Sequence, residues 1–204
     1  MSMNPDDPRV RKTRRGLQAA FIRLILKKGY DAVSIQEIAT EAEAARITFY
    51  RHYADKEELL TDCLNTLYDD LAEKTERFSP QGLAQGYSPV QVLYDHIEAH
   101  ETLYRILFSS RGTHTVLERL RHHLSFHAIK NIQGFIGQTP PGIPLDIIAY
   151  HVASAQIGLA MWWLDHDKPY PAPYMAQVSV WLSLGGLLRA LGIPQFPLPM
   201  PEKP

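Results

Sequence analysis

The stretch Ser34–Lys56, SIQEIATEAEAARITFYRHYADK, decides how the rest of the chain is read. Ser34 stands before an apolar-periodic run and Glu37 follows three residues later, the spacing of a capping box that opens a helix. That helix is predicted over Ile35–Glu41, with Ile35, Ile38, Ala39 and Ala42 on its apolar face. A second short helix is predicted from about Ala45 to His52 or Tyr53. One of its sides is apolar; the other offers Arg46, Thr48, Tyr50, Arg51 and His52. A short helix with a basic, hydroxyl-bearing and aromatic outer side suits a DNA major groove. Arginine reads guanine edges, the threonine methyl meets thymine, and hydroxyls reach phosphates.

The opening SIQEIA, followed by ITFYRHYADKEELL over Ile47–Leu60, resembles the helix-turn-helix of TetR-type transcriptional repressors. The T-F-Y-x-H-[FY]-x-x-K-x-x-L arrangement carries the resemblance and is far more specific than a bare helix-turn-helix. It implies a dimer that binds double-stranded operator DNA through a three-helix head. Arg46, Thr48 and Arg51 are assigned to the groove, and Ser34, Gln36, Tyr50 and His52 to phosphates. The resemblance adds a phosphate contact for Lys56. One departure stands out: where the family usually has Gly-Val-Ser, this chain has Glu43-Ala44-Ala45. Glu43 must then take up the backbone conformation of the glycine, which is costly if φ is positive. Ala45 supplies no hydroxyl cap, a loss of roughly 1 kcal/mol against Ser.

The net charge of −1 conceals a division. Residues 1–56 hold 11 Lys/Arg against 7 Asp/Glu, and the rest hold 10 against 15. A basic end on an acidic body fits a DNA-reading head. At 204 residues and 45% hydrophobic content the chain is long and apolar enough for a sizeable core. One cysteine, Cys63, rules out an intramolecular disulfide and fits a reducing cytoplasm. The N-terminal MSMNPDDPRVRKTRR lacks the apolar core of a secretory signal, and no window approaches the ~20 apolar residues of a membrane span. A cytoplasmic protein with no membrane partner is expected.

The fold expected is all-α: about nine helices, no strand, a helix-turn-helix head over residues 9–56 and a ligand-binding and dimerisation body over 57–192. A basic first helix spans about Arg9–Lys28, its cations Arg11, Lys12, Arg14 and Arg15 placed for phosphate, and Gly29 stops it. A connecting helix runs from Lys56 to about Arg77 or Phe78, capped by Asp55, with Cys63 in its apolar stripe as a packing residue. Further helices are predicted over about Pro89–Phe108 with a break near His100, Thr113 to Gly134 or Ile136, Pro144 or Leu145 to Leu164, and Tyr174–Leu191. Loops are predicted at Ser79–Ser88, Ser109–Gly112, GQTPPGIP and DHDKPYPAP, with a proline-rich tail from Pro194.

The last two helices are apolar on more than one face, and Gly158, Ala160, Gly185 and Gly186 permit close approach, so a homodimer through a four-helix bundle is expected. The motifs H-I-x-x-H-x-x-L-Y-R and W-W-L…Y-x-x-x-x-M-A resemble the TetR branch typified by the regulator of dihydroxyacetone kinase genes. His96, His100, Tyr104, Phe126, His127, Gln156, Trp162 and Trp163 interleave polar and aromatic groups, as a pocket for a small-molecule effector would. The i, i+4 pairs His96/His100 and His123/His127 leave a zinc-responsive regulator open as an alternative, although no metal ligand is assigned from spacing alone. A helical interaction protein without DNA binding is the other alternative. Neither a phosphate loop, a nucleophile elbow nor a carboxylate pair points to an enzyme, and no cofactor is expected. On this reading, Arg46→Ala loses discrimination between DNA sites in a binding titration. Lys56→Ala weakens all sites together and flattens the salt dependence.

Overall fold

Asp7 caps the first helix, its carboxylate accepting from the Arg9 N–H at 2.8 Å, and Pro8 occupies the first turn, where no N–H is needed. The computed structural model describes residues 7–76, 88–109, 114–136, 142–190 and 201, without the side chains of 115, 131, 134–136 and 184–190. Among them the chain is helical throughout, with nine helices and no strand. These are α1 (Pro8–Lys28), α2 (Ile35–Glu41), α3 (Arg46–His52), α4 (Lys56–Glu76), α5 (Pro89–Ala99), α6 (Glu101–Phe108), α7 (His114–Ile136), α8 (Leu145–Asp165) and α9 (Ala172–Ala190). The predicted loop at GQTPPGIP lies mostly outside the described residues, as do Ser79–Tyr87, the positions from Ser110 to Gly112 and most of the tail.

Local chemistry sets most boundaries. Gly29 ends α1 at φ 80°, donating its N–H to the Ile25 carbonyl at 2.8 Å. Ser34 and Glu37 form the expected capping box at α2. Asp55 accepts from the Glu58 N–H at 2.8 Å at the start of α4. Ser88 caps α5, and Pro89 again fills the first turn. His100, at φ −125° and ψ 31°, separates α5 from α6 where the break is predicted.

The chain forms two compact units, Met1–Thr66 and Leu67–Pro204. The division falls inside α4, further along than the expected boundary after residue 56. The first turns of α4 belong with the head because Asp62 is hydrogen-bonded to Arg14, Gln18 and Tyr53. In the first unit α2 packs on α1 and α3, around Leu17, Ala20, Phe21, Ile38, Ala39, Phe49 and Leu59. Cys63 is buried there as a packing residue, its thiol pushed up to about 12 by burial and then by the Asp62 charge.

In the second unit α7 packs along α8, and α9 packs on α5 and α8. Trp163 is fully buried, donates its indole N–H to the Tyr170 carbonyl at 2.7 Å, and meets Tyr94 edge-on at 5.2 Å. Contrary to the expectation that no segment approaches a membrane span, α8 is long and apolar enough to cross one. Ala149, Ala153, Ile157, Ala160, Trp163 and Leu164 are buried in the second unit, which also accounts for its apolar character.

Glu43 does adopt the left-handed conformation, at φ 52°. It is the residue after the C-cap of α2 in a Schellman motif: the Ala44 N–H reaches the Ala39 carbonyl at 2.8 Å and the Glu43 N–H reaches the Thr40 carbonyl at 3.0 Å. A side chain in this conformation costs roughly 1–2 kcal/mol, partly offset by the roughly 0.5–1 kcal/mol of chain entropy that glycine would lose. Glu43→Gly therefore stabilises the protein by about 0.5–1 kcal/mol, read as a higher urea midpoint with an unchanged slope.

Candidate functional site

Helix α3 buries Phe49 completely, between Tyr50 at 5.6 Å and Tyr53 at 5.8 Å between ring centres. That anchor turns Arg46, Tyr50 and Arg51 to solvent, with Thr48 half-buried beside them. Arg46 lies over the Tyr50 ring at 5.5 Å and donates to its hydroxyl at 3.1 Å, so the two side chains are arranged together before any ligand arrives. A guanidinium has five donors, so this bond leaves others for a base edge. Ile47 is 75% exposed on the same short helix and is a groove candidate that the sequence reading missed. The available signal was an apolar, β-branched residue set between Arg46 and Thr48, of the kind that meets a thymine methyl.

The residues assigned to phosphate divide sharply. Gln36 is exposed, with only a 3.4 Å bond to Thr40. Ser34 is exposed, but its hydroxyl donates to Glu37 at 2.7 Å and accepts from the Glu37 N–H, inside the capping box. Lys28 pairs with the other oxygen of Glu37, and these bonds hold its carboxyl down at about 2. Both ring nitrogens of His52 are shut off from solvent and lack a hydrogen-bond partner among the described residues, and burial followed by the charges of Arg51 and Arg14 disfavours its protonation. His52 is thus not presented to a phosphate in this conformation.

Lys56 is half-buried. Its ammonium donates to the carbonyls of Tyr30 and Val33, at 3.2 and 3.1 Å, and sits 4.4 Å from the Tyr30 ring centre. It ties down the turn between α1 and α2. Arg14, placed with the phosphate-facing cations, instead bonds Asp62 at 2.7 Å and the Tyr53 hydroxyl at 3.3 Å. Arg11, Lys12 and Arg15 remain exposed on α1.

Among the described residues, the eight expected to line an effector pocket lie in several places. His96, His100 and Tyr104 lie together, with His96 Nδ1 2.8 Å from the Tyr104 hydroxyl and the two imidazoles 4.5 Å apart. Gln156 is buried against α9, accepting from the Ser179 hydroxyl at 2.5 Å. Trp163 is core. Trp162, on the outer side of α8, stacks on His166 at 4.6 Å. Phe126 is 54% exposed on α7, edge-on to His127.

The described grooves lie on the outer faces of α8 and α9. One of 340 Å³ is lined by Gly158, Leu159, Trp162, Ser179 and Leu182 among others, and a second, near Asp146, is lined by Ile147, Tyr150 and His151. Of the expected eight, only Trp162 lines either. The second histidine pair does not join the first. Thr75 spends its hydroxyl proton on the Leu71 carbonyl, so it accepts from His123 Nε2 at 2.7 Å. Burial and the neighbouring His127 hold His123 at about 4.

Residues 17–63, from α1 into α4, match the family model for bacterial regulatory proteins of the tetR family, and residues 88–182 match that for a transcriptional regulator C-terminal region. The chain belongs to the TetR family. This TetR-family chain is accordingly a DNA-binding transcriptional regulator rather than an enzyme. It is 28% identical to the transcriptional regulator YxbF of Bacillus subtilis, over 84% of this chain but only 44% of that protein's length. The transcriptional activator FasR of Mycolicibacterium smegmatis is 24% identical, over 87% of this chain and 84% of FasR. The crystal structure of FadR from Bacillus subtilis in complex with stearoyl-CoA shares the TetR-family fold at a TM-score of 0.64 and 16% identity, covering 84% of this chain and 98% of FadR. The structural role of Lys56 has a consequence separable from DNA. Lys56→Met destabilises the DNA-free protein by about 1–2 kcal/mol, read by urea unfolding, because two carbonyls lose a charged donor.

Proposed function

We propose that this TetR-family regulator is a cytoplasmic repressor that binds a pseudo-palindromic operator as a homodimer and is released by a small-molecule effector held in its second unit. The observation that carries the DNA reading is α3: Phe49 wholly buried, with Arg46, Ile47, Tyr50 and Arg51 on the exposed side. Arg46, Thr48 and Arg51 take the groove in this reading, and Ile47 joins them. Gln36, Tyr50 and the exposed cations of α1 hold phosphates.

The homodimer through α8 and α9 is supported by the apolar groups these helices leave uncovered. Ile147, Tyr150, Trp162 and Leu182 are between 40% and 61% exposed. Gly158 lies among them, with nothing among the described residues within 4 Å of where a Cβ would stand. Gly185 and Gly186, also expected at the interface, fall where side-chain surroundings are outside the described set. Two recognition helices related by a two-fold axis read half-sites about one DNA turn, ~34 Å, apart.

An effector acts only through its different affinity for the DNA-competent state and the other state. FadR, a fold neighbour whose structure is a complex with stearoyl-CoA, supports an organic ligand here. FasR is a transcriptional activator, the opposite sign to the one proposed here. The body motifs resemble the dihydroxyacetone-kinase-regulator branch, which is functionally mixed and names no ligand.

The test is an anisotropy titration at fixed salt, near 150 mM, with DNA from the region upstream of the protein's own coding sequence and a scrambled control. Binding tighter than the control by ~10³ or more supports the reading. Equal binding to both that collapses with salt overturns it. Arg46→Ala narrows the gap between the two DNAs by about 1–3 kcal/mol.

A further inference from the structure

We propose that Asp70, His96 and His100 form a binding site for one divalent transition-metal cation of the zinc type. Among the described residues these three alone bring the ligating atoms of at least three His, Cys, Asp or Glu side chains within 4.8 Å of one another. Asp70 comes from α4, His96 from α5, and His100 from the break between α5 and α6. His96 Nε2 is 2.8 Å from Asp70 Oδ2, and His100 Nε2 is 3.8 Å from the same oxygen. Tetrahedral zinc with bonds of about 2.0–2.1 Å holds its ligand atoms about 3.3–3.4 Å apart. One separation must open and another close, each by roughly half an ångström, within reach of small side-chain rotations.

The helix break is what makes the set possible. At His100 the backbone leaves the α-helical conformation, and the ring comes to lie 4.5 Å from that of His96. A purely structural hydrogen-bonded chain needs only Asp70, His96 and Tyr104. His100, at 3.8 Å, is too far from Asp70 to be a hydrogen-bond partner and adds nothing to that chain. As a third ligand it has a role.

The surroundings have the character of a metal site. His96 is 3% exposed and its Nδ1 lies 2.8 Å from the hydroxyl of Tyr104, itself 1% exposed. This fixes the ring with Nε2 toward Asp70, as outer-shell partners orient ligating histidines. Asp70 and His100 are 43% and 38% exposed, so a cation can enter, and three protein ligands leave a position for water or another donor. One feature opposes the cation: the Lys74 ammonium is 2.7 Å from Asp70 Oδ2 and must swing aside. Its side chain is 47% exposed. Lys74 therefore weakens the site without closing it.

Metal binding goes beyond the regulator reading, since it is measured on the protein without DNA. Full-length protein is stripped with EDTA, desalted, and titrated with Co²⁺ followed by visible absorption, then with Zn²⁺ in competition. The expected result is one equivalent of Co²⁺ per chain with ligand-field bands, displaced by Zn²⁺. His100→Ala and Asp70→Asn, each with an unchanged circular dichroism spectrum, weaken binding by at least about 10-fold. Lys74→Met tightens it. His127→Ala, at the other histidine pair, leaves the titration unchanged. Absence of the bands in the wild-type protein overturns the proposal. Equal affinity in His100→Ala and Asp70→Asn also overturns it, because the metal would then sit on other histidines.

Discussion

One carboxylate holds the DNA-reading unit in order. Asp62 accepts from Arg14 on α1, from Gln18 one turn further along, and from the hydroxyl of Tyr53 at the end of α3. Helix α3 has seven residues and no side-chain cap at its start. A helix this short has no stability of its own in water and takes its conformation from what it packs against. Phe49 in the core fixes its rotation, and Tyr53 on Asp62 fixes its end. The exposed face of Arg46, Ile47, Tyr50 and Arg51 is thus a consequence of contacts made on the opposite side. Breaking the Asp62 cluster would leave a buried phenol and a guanidinium short of partners, a costlier loss than any one bond within it.

Features set by neighbours in sequence were legible before the structure. Ser34 with Glu37, Gly29 after two lysines, Asp55 before α4 and the interruption at His100 each act within one helical turn, and each appears where expected. Glu43 belongs here too: the family pattern required a left-handed residue at that place, and the chain supplies it without glycine. Features set by partners far along the chain were not legible. Lys56 and Arg14 lie on helix faces that periodicity marks as outward, but periodicity does not say which element lies opposite. The carbonyls of Tyr30 and Val33, and the carboxylate of Asp62, are 23 to 48 residues away from the cations they hold. His52 shows the same limit from the other direction, since a polar residue at a helix end gave no hint that its ring is covered.

The body motifs gain a physical meaning. In H-I-x-x-H-x-x-L-Y-R, Tyr104 fixes the His96 ring, and Arg105 reaches the end of α8. Its guanidinium donates to the Leu164 carbonyl at 2.6 Å and pairs with Glu101 and Asp167. Cationic donors at a helix C-terminus satisfy carbonyls that the helix itself cannot. The turn that follows α8 is left-handed at Asp167 and Lys168, and Lys168 returns to Glu101 at 2.6 Å. These residues form a structural joint between α6 and the end of α8. Asp70 went unnoticed because it precedes His96 by 26 residues and sits in an ordinary acidic run of α4.

The buried thiol of Cys63 has an implication for how the head responds to its chemical surroundings. Nucleophilic sulfur is thiolate, and a group held near 12 supplies almost none at neutral pH. Burial and the raised thiol therefore shield Cys63 from peroxide and electrophiles while the head is folded. The same protection makes Cys63 a built-in clock. An alkylating reagent gains access only when the helices around it part, so the rate at which this single sulfur is consumed reports how often the first unit opens.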